Sequence, residues 1–574
     1  MTMTPALRRR AVPDASVLAE AALHPVLARV YAARGVLSRE QLDLRLSRMH
    51  APSQLGGLGT ACALLRDAIE RDARILIVGD FDCDGATGAA VAYRGLRMFG
   101  ARRVDVRVPN RVIHGYGLTP ALVADIVADG APDLLVTVDS GIACLPGVRA
   151  AKQAGCRVLV TDHHLPPDAL PEADAIVNPN LRGDGFPSKM LAGVGVMFYL
   201  LLALRASLRD AGVYAGGGEP DLSSLLDLVA LGTVADLVPL DHNNRVLVSA
   251  GLKRIRAGLA SAGIAALIEV AKRRAAELTA TDLGFSIGPR VNAAGRLDDM
   301  SVGIACLCSD DPPAARALAA RLDAINAERR GVQQDMVDQA EAAVAHLQLD
   351  GDLPPVLCLH EPDWHPGVIG LVASKIKERV HRPVFAFASA GEGSSELKAS
   401  ARSVPGVHLR DLIAELDMRE PGLILRFGGH AMAAGLSLDV AHFDRFRVAI
   451  AALALERVDP AALAAEIWSD GELDGRAIDL ALAEALRDGG PWGQAFPEPQ
   501  FDGEFDIVSA RVVGERHVAM RLADRGGITL EAIAFGAFSG TLPAGRIVAV
   551  FQPIVDEWRG ERRVKLLVRH FSPA

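Results

Sequence analysis

Apolar and polar positions along the first half of the chain predict short buried strands separated by helices. The segments between the apolar runs, such as 87–99 and 146–154, have helical composition. The runs that predict strands are 75–79, 104–108, 134–138, 158–161 and 175–177. Because most of these runs are apolar at successive rather than alternate positions, they predict a parallel sheet covered by helices on both faces. We therefore expect a helical lead-in at 1–70 and a doubly wound α/β domain at 71–310.

A second α/β domain is predicted to follow a long helix. Residues 314–347 contain no proline and one glycine, which predicts a single helix of about 50 Å at 1.5 Å per residue. We expect this helix, at 311–350, to connect two domains. Apolar runs return at 355–360 and 383–388, so residues 351–455 are predicted to form the second domain.

The C-terminal part of the chain changes character twice. Residues 456–500 carry 3 basic and 10 acidic residues, a net charge of −7, and predict an acidic helical linker. Residues 501–574 contain five short strand-like runs that are broken at glycine and aspartate. Five such strands are typical of a small barrel, for which an OB-like β-barrel is the leading candidate. The predicted fold class is therefore a multidomain α/β protein with a C-terminal barrel.

Composition narrows the classes of protein that this chain can represent. The 574 residues include 61 Lys and Arg against 70 Asp and Glu, for a net charge of −9. This excludes a protein that coats nucleic acid by bulk charge, but not one that binds it in a local basic groove. The seven cysteines show no paired Cys-x-x-Cys spacing, no apolar leader follows the N-terminus, and the run 191–204 is too short to cross a bilayer. We expect a cytoplasmic protein without a membrane segment.

The strongest chemical signal directly follows the first predicted strand, in the sequence GDFDCDG at 79–85. Asp80, Asp82 and Asp84 place three carboxylates at alternate positions, which is costly unless a cation neutralises them. Hard oxygen ligands of this kind favour Mg²⁺ or Mn²⁺. A calcium loop of the EF-hand type does not fit, because glycine follows the third aspartate directly and no glutamate occupies the required later position.

Two further predicted strands end in ionisable residues. Asp139 follows one of them, and Asp162, His163 and His164 follow the other. A lone aspartate at a strand end is usually a helix N-cap, but ligands of parallel sheets bind at the edge where the carboxyl ends of the strands meet. Asp236, after an apolar helix, is a weaker candidate for the same cluster. Four or five carboxylates with an imidazole can hold two divalent ions, which points to phosphoester hydrolysis.

Candidate anion-binding groups lie in other segments. Arginine is suited to bidentate phosphate contacts, and the glycine-rich stretch 427–435 is predicted to open a helix whose N-terminus could bind an anion. For each segment alone, a solvated surface or a helix-packing role is an equally good interpretation. The candidate residues are Arg111, His114, Arg290, Arg296, Ser400, Arg402 and His430.

The order of these motifs resembles a known family. GDFDCDG, RVIHGYG, DSG and TDHH resemble motifs of the DHH phosphoesterase family, and WHPGVIG, KASARS and FGGHAMAAG resemble its associated DHHA1 domain. The resemblance implies that two Mn²⁺ or Mg²⁺ ions are held by Asp80, Asp82, Asp84, Asp139, His163 and Asp236. It implies that the catalytic residues are Asp82, Asp84, Asp139, His163 and His164, with His164 near the scissile phosphate. It also implies nucleotide or 5′-phosphate contacts for the anion-binding candidates, and leaves open whether Arg290 or Arg296 contacts the phosphate.

The domain arrangement is similar to that of the single-strand-specific 5′→3′ DNA exonucleases of this family. The resemblance implies degradation of single-stranded DNA to 5′-mononucleotides in DNA recombination and repair, with the strand between the two α/β domains. It further implies cooperation with a single-strand-binding protein and a helicase, and a monomer is expected. Barrel aromatics could stack on bases, although most are expected in the barrel core; they are Phe501, Phe505, Phe535, Phe551 and Trp558.

Two other functions stay open at this point. A DHH phosphodiesterase for short oligonucleotides or cyclic dinucleotides would need neither the barrel nor a chain of this length. A catalytically inactive DNA-binding scaffold of the same family would be expected to lack metal ligands, whereas every ligand position is filled in this chain.

Overall fold

The computed structural model describes residues 5–13, 18, 23–110, 113–349, 353–391, 393–558 and 560–574. The chain divides into two compact units. The larger comprises Arg10–Asn326 and Asp470–Ala574, and the smaller comprises Met1–Arg9 and Ala327–Ser469.

Strands and helices are numbered separately along the chain. The strands are β1 (Ala6–Arg9), β2 (Ile75–Gly79), β3 (Val104–Arg107), β4 (Leu134–Val138), β5 (Arg157–Thr161), β6 (Ala175–Val177), β7 (Leu357–His360), β8 (Val384–Ser389), β9 (Glu396–Arg402), β10 (Arg426–Gly429), β11 (Ala433–Asp439), β12 (Glu466–Ser469), β13 (Phe501–Val513), β14 (His517–Ala523), β15 (Thr529–Ala534), β16 (Arg546–Trp558) and β17 (Glu561–Pro573). The helices of two turns or more are α1 (Pro25–Ala32), α2 (Leu58–Glu70), α3 (Cys83–Met98), α4 (Pro120–Ala128), α5 (Leu145–Gln153), α6 (Gly193–Asp210), α7 (Leu226–Ala235), α8 (His242–Arg256), α9 (Ala262–Val270), α10 (Gly288–Leu297), α11 (Ser301–Cys308), α12 (Pro312–Leu349), α13 (Ile369–Val380), α14 (Leu409–Arg419), α15 (Phe443–Arg457) and α16 (Leu480–Asp488).

The larger unit is built on a five-stranded parallel sheet with the order β3-β2-β4-β5-β6. Alternate residues of β2 enter two separate cores. Ile75 and Ile77 pack with α2, α3 and α6, whereas Leu76 and Val78 pack with α4 and α5. Burial on both faces explains why β2, β4 and β5 are apolar at successive positions. The predicted doubly wound sheet is confirmed, and each of its strands begins and ends within one residue of the prediction.

The predicted long helix is present as α12, which has 38 residues and is therefore about 57 Å long. The boundary between the two units, at Asn326 and Ala327, falls within it.

The smaller unit contains a mixed five-stranded sheet with the order β10-β11-β9-β8-β7. Strands β7 and β8 are parallel, and the other neighbours are antiparallel. Phe385, Phe387 and Phe446 lie at the centre of its core. Strand β1 pairs in parallel with β12 in this unit.

The prediction of a helix opening at 427–435 is wrong. Strands β10 and β11 form an antiparallel hairpin there, in which Gly428 pairs with Gly435. At the end of β10, Gly429 has φ +137°, and a β-carbon on it would lie 2.5 Å from the α-carbon of Ala434. The small residues therefore allow a tight reversal, and burial of Ala434, Leu436 and Leu438 follows the period of two that marks a strand.

Residues 456–500 are only partly helical. Besides α16, they contain β12 and a buried ion pair between Asp470 and Arg34, whose guanidinium donates over 2.8 and 3.0 Å to the two carboxylate oxygens. One acidic residue of this segment, Asp470, therefore pairs inside the protein with an arginine that is distant in the sequence.

The C-terminal strands form the predicted barrel, which is closed with the order β13-β14-β15-β17-β16. Phe501, Phe505 and Phe551 are buried in it, as expected for most of the barrel aromatics, whereas Phe535 is 62% exposed. The side chain of Trp558 lies outside the described residues.

Within the described part of the chain, no helix combines the length and hydropathy needed to span a membrane. The apolar run 191–204 lies mainly in α6, whose residues are largely buried in the core. All seven cysteines are free thiols.

Candidate metal centre

Three strand ends and one helix end converge at the carboxyl edge of the parallel sheet. Asp80 follows β2, Asp139 follows β4, and His163 lies just beyond β5, while Asp236 is the C-cap of α7. Their potential ligand atoms lie within 4.8 Å of one another in three overlapping groups: Asp80, Asp82 and Asp139; Asp84, His163 and Asp236; and Asp139, His163 and His164. The fold thus brings all six predicted metal ligands, together with His164, into one cluster.

The loop between β2 and α3 is shaped by Asp82 and Gly85. Asp82 is the N-cap of α3, and its carboxylate accepts the N–H of Gly85 over 3.0 Å. A β-carbon on Gly85 would lie 2.5 Å from the backbone nitrogen of Asp80. Only glycine at position 85 therefore allows α3 to begin so close to Asp80, the residue that follows β2.

Asp84, in the first turn of α3, is fully buried, and its side chain lies against the N-terminus of α6. Its two carboxylate oxygens accept the N–H groups of Gly193 over 2.7 Å and of Val194 over 2.9 Å. Burial raises the pKa of Asp84 to about 7, with a further contribution from the charge of Asp82, although these two hydrogen bonds act in the opposite direction. The N-terminus of α6 thus partly stabilises the charged form of Asp84, which burial and the neighbouring acids disfavour.

Asp139 and His163 bring candidate ligand atoms from two different strand ends into close contact. Asp139 Oδ1 and His163 Nε2 are 3.1 Å apart, and His163 Nε2 is 3.6 Å from Asp236 Oδ2. Both Asp139 Oδ1 and His163 Nε2 are buried and make no hydrogen bond within the described residues. Asp139 also has a left-handed backbone with φ +61°, a sparsely populated conformation that clusters at active sites.

Electrostatics explains why this cluster requires a cation. Burial, followed by the charges of neighbouring acids, raises the pKa of Asp139 and of Asp236 well above the ordinary range of a carboxyl group. Burial also lowers the pKa of His163 to about 4, with a smaller contribution from His164, so its imidazole is neutral and able to bind a metal. Five carboxylates and a neutral imidazole fit two hard divalent cations, and the absence of thiolates from this set distinguishes it from structural zinc sites.

His164 is held in a different way from His163. Its Nδ1 lies 2.7 Å from Asp162 Oδ1, and Asp162 also accepts the N–H groups of His164 and of Ile142. Burial alone would lower the pKa of His164, but the hydrogen bond and the charge of Asp162 raise it overall. The remaining ring nitrogen, Nε2, lies 3.4 Å from the hydroxyl of Tyr116. Asp162 therefore orients His164 and favours its charged form.

Two asparagines that support the histidine loop do not stand out in the sequence. Asn178 donates to the carbonyl oxygen of His164 over 2.9 Å, and Asn180 donates to that of His163 over 2.6 Å. Asn178 is the first and Asn180 the third residue after β6, so the rule that functional groups follow strand ends could have identified them.

Helix α10 supports the aspartate loop through contacts that no local pattern signals. Asn292 Oδ1 accepts the N–H of Cys83 over 2.8 Å. Gly295 packs against the carbonyl oxygen of Phe81. These residues lie about 210 positions beyond the loop in the sequence, so only the folded chain reveals the contact.

Two of the predicted anion-binding residues of the larger unit, His114 and Arg290, are engaged in protein contacts. His114 Nε2 lies 2.8 Å from Asp125, and its Nδ1 accepts the N–H of Asn110. Arg290 pairs with Asp323 over 2.9 Å and donates to the carbonyl oxygen of Ser286. Arg296 is half-buried in the last turn of α10. Arg111 lies outside the described residues.

In the smaller unit, the structure brings Ser400 and Arg402 together on β9. Arg402 Nη1 donates to Ser400 Oγ over 3.1 Å and to the carbonyl oxygen of Ala401 over 2.9 Å. Burial lowers the pKa of Arg402, and no carboxylate among the described residues pairs with it. A β-carbon on Gly370, in the first turn of α13, would lie 2.9 Å from Ser400 Oγ and 3.0 Å from Arg402 Nη2. His430 is exposed in the β10–β11 turn.

Comparison with known proteins places this cluster in an established family. Residues 74–233 match the DHH family, N-terminal domain, residues 344–456 match the DHHA1 domain, and residues 469–570 match the RecJ OB domain. The chain is 50% identical over 580 residues to the single-stranded-DNA-specific exonuclease RecJ of Dickeya dadantii, with full coverage of both chains. The chain belongs to the RecJ family.

Solved structures of RecJ agree with this assignment. The crystal structure of RecJ with Mn²⁺ from Thermus thermophilus is 32% identical, has a TM-score of 0.81, and is matched over 99% of this chain and 80% of its own. The corresponding RecJ structure with Mg²⁺ is 29% identical, has a TM-score of 0.75, and is matched over 99% and 78%. The match to the DHH domain ends at residue 233 and therefore does not include Asp236. The similarity to the RecJ structure extends over 99% of the chain and includes this residue.

Proposed function

We propose that this chain is an exonuclease that depends on divalent cations, degrades single-stranded DNA in the 5′→3′ direction and releases 5′-mononucleotides. The observation that carries the proposal is the buried contact of 3.1 Å between Asp139 Oδ1 and His163 Nε2, neither of which makes a hydrogen bond within the described residues. In a cluster rich in carboxylates, such a pair suits a shared cation and has no obvious role without one.

Six residues would hold two Mn²⁺ or Mg²⁺ ions, namely Asp80, Asp82, Asp84, Asp139, His163 and Asp236. Divalent cations in a site of this kind lower the pKa of water and stabilise the attacking and leaving oxygens of phosphodiester hydrolysis. His164 would present Nε2 to the scissile phosphate, because Asp162 occupies its Nδ1. The raised pKa of His164 favours a charged donor for that phosphate.

Recognition of the 5′ phosphate is proposed for Arg402 and Ser400. The support is a buried guanidinium whose described hydrogen bonds go to a hydroxyl and a carbonyl oxygen, and not to a carboxylate. Such a group is stabilised by an incoming anion. Nucleotide contacts of Arg111, His114, Arg290, Arg296 and His430 remain part of the proposal, and those of His114 and Arg290 would require exchange of the protein contacts described above.

The proposal also covers the oligomeric state of the enzyme, its location and its partners in the cell. We infer a monomeric cytoplasmic enzyme that acts in DNA recombination and repair together with a single-strand-binding protein and a helicase. Light scattering on the purified protein tests the monomer, and co-purification from a cell extract, with Asp82→Ala as bait, tests the two partners.

The central experiment is digestion of 5′-phosphorylated single-stranded DNA with Mn²⁺ or Mg²⁺, beside the matching duplex and a short RNA. We expect mononucleotides from the single strand, no product from the duplex, and no activity in Asp82→Ala. Asp168→Ala, which removes an exposed aspartate outside the cluster, is the matched control and should behave as the unmodified enzyme. Equal cleavage of the duplex would refute strand specificity, preference for dinucleotides would favour an oligonucleotide phosphodiesterase, and binding without cleavage would favour a scaffold.

A further inference from the structure

A groove of about 440 Å³ is lined by Val234 and Leu237, which lie on either side of the candidate ligand Asp236 in the chain. Leu237, the residue after this candidate ligand, lines the groove together with Phe285. Trp492 and Arg569, the latter on the barrel strand β17, also line the groove. All of these residues belong to the larger unit, so the groove connects the edge of the catalytic sheet with the barrel inside one compact body.

Leu237 is placed in the groove by an unfavourable backbone conformation. It has φ +61°, the left-handed region that leucine seldom adopts. Its side chain is nevertheless 63% exposed, so core packing does not account for the strain. Strained backbone conformations cluster at active sites and at segments that hold ligands.

Phe285 is presented by a second irregular element. Residues Leu283–Ile287 form a π-helical turn, a local widening of a helix that occurs frequently at functional sites. Gly284 allows this turn to lie against α7, because even a β-carbon there would come within 3.2 Å of Val234 Cγ1. The ring of Phe285 is left 78% exposed in the groove.

The charges of the groove are largely balanced. Arg569 donates to Gln552 over 2.7 Å and lies 3.9 Å from Glu498. Glu498 also accepts hydrogen bonds from Thr281 and Gln552. An apolar groove with little net charge suits flat, uncharged rings better than phosphates, and aromatic side chains bind bases by stacking regardless of their sequence.

We propose that this groove binds bases of the single strand on the 3′ side of the bond that is cleaved, with one base stacked on Phe285 and in contact with Leu237. The inference rests on the proposed exonuclease function. Because such an enzyme removes the nucleotide at the 5′ end, the remaining strand must leave the metal centre on the 3′ side. The groove is lined both by Leu237, next to Asp236 in the chain, and by Arg569 of the barrel, and its lining is mainly apolar, which suits those bases.

Two variants test the groove. Phe285→Ala removes the ring, and Leu237→Gly removes the other apolar contact while relieving the left-handed strain, so that folding is preserved. Leu259→Ala is the matched control, since it shortens a leucine that is 57% exposed elsewhere in the same unit. Each protein is assayed on a long 5′-phosphorylated oligonucleotide, on the same oligonucleotide with abasic sites at every position after the first nucleotide, and on a dinucleotide whose second residue is abasic.

We expect Phe285→Ala to raise KM for the long oligonucleotide about tenfold, the effect of losing one stacked base, and Leu237→Gly to raise it severalfold. Neither variant should change kcat/KM for the dinucleotide or the abasic oligonucleotide, and Leu259→Ala should resemble the unmodified enzyme throughout. Equal losses on all three substrates, or no loss on the long one, would overturn the proposal. If the unmodified protein cleaves no substrate, the exonuclease proposal fails, and binding of a fluorescent oligonucleotide by the same variants still decides whether the groove contacts bases.

Discussion

Gly295 lies so close to the backbone of Phe81 that a β-carbon on it would stand 1.9 Å from the Phe81 carbonyl oxygen. This contact sets helix α10 directly against the loop that carries Asp80, Asp82 and Asp84. Together with the hydrogen bond from Cys83 to Asn292, it makes the geometry of the aspartate loop depend on a helix from a distant part of the chain.

Gly295→Ala is therefore expected to displace the aspartate loop and lower kcat on single-stranded DNA by at least 100-fold. Mn²⁺ affinity, measured by calorimetry, should fall in parallel, while circular dichroism reports a folded protein. Gly331→Ala is the control: nothing lies within 4 Å of a β-carbon there, so the change should keep full activity and stabilise α12 by about 0.5–1 kcal/mol. Full activity of Gly295→Ala would show that the loop does not depend on this contact.

Asp139→Asn should have opposite effects on the protein with and without metal. Without metal, the variant removes one of several mutually repelling buried carboxylates, so its thermal midpoint in EDTA should equal or exceed that of the unmodified protein. With Mn²⁺ at about a hundred times its Kd, the unmodified protein should gain about 2.7 kcal/mol, and the variant much less. Thermal unfolding with and without Mn²⁺ measures both, with Asp168→Asn as control. An equal gain from Mn²⁺ in both proteins would contradict a ligand role for Asp139.

Arg402→Gln should reduce discrimination between DNA with and without a 5′ phosphate. A charge-assisted hydrogen bond contributes about 1.5–3 kcal/mol, so kcat/KM for the phosphorylated strand should fall about 10- to 100-fold, and that for the 5′-hydroxyl strand should hardly change. Arg426→Gln, which removes an arginine with a 67% exposed side chain from the same sheet, is the control. A uniform loss on both substrates would indicate that Arg402 acts only in folding.

Asp470→Ala should destabilise the larger unit by about 3–5 kcal/mol, because it leaves the buried guanidinium of Arg34 without its counter-charge. The side chains of this pair are 1% and 0% exposed. The exposed pair of Arg8 and Glu466 serves as comparison, and Glu466→Ala should cost less than about 1 kcal/mol. Thermal unfolding distinguishes the two variants. Similar small shifts would mean that the 470–500 segment does not depend on this ion pair.

Local sequence pattern was sufficient for the parallel sheet, the long helix and the barrel. The five strands of the sheet could be predicted to within one residue because β2, β4 and β5 are continuous apolar runs that are buried on both faces, and β3 and β6 are short runs rich in β-branched residues. The same reasoning failed at 427–435, where the glycines suggested a turn into a helix. The alternation of Ala434, Leu436 and Leu438 on one face of β11 was the overlooked signal.

Most of the residues of the candidate metal centre could also be predicted, since the topology of a parallel sheet brings the ends of β2, β4 and β5 to one edge. That rule is local: it needs only strand order and the residue that follows each strand. Asn178 and Asn180 obey it as well, although the strand before them is short.

The sequence by itself determined which residues end the strands of this protein and therefore which carboxylates and histidines meet. Only the tertiary structure decided how those groups are held. Gly295 against Phe81, Asn292 on Cys83, and the backbone of Gly193 on Asp84 join segments about 110 to 215 residues apart. The tertiary structure also decided that Arg290 pairs with Asp323, whereas the buried guanidinium of Arg402 has no carboxylate partner among the described residues. The periodicity of apolar residues along a chain predicts which face of each helix or strand is buried. Contacts between elements that are distant in the sequence depend instead on how those buried faces pack against one another.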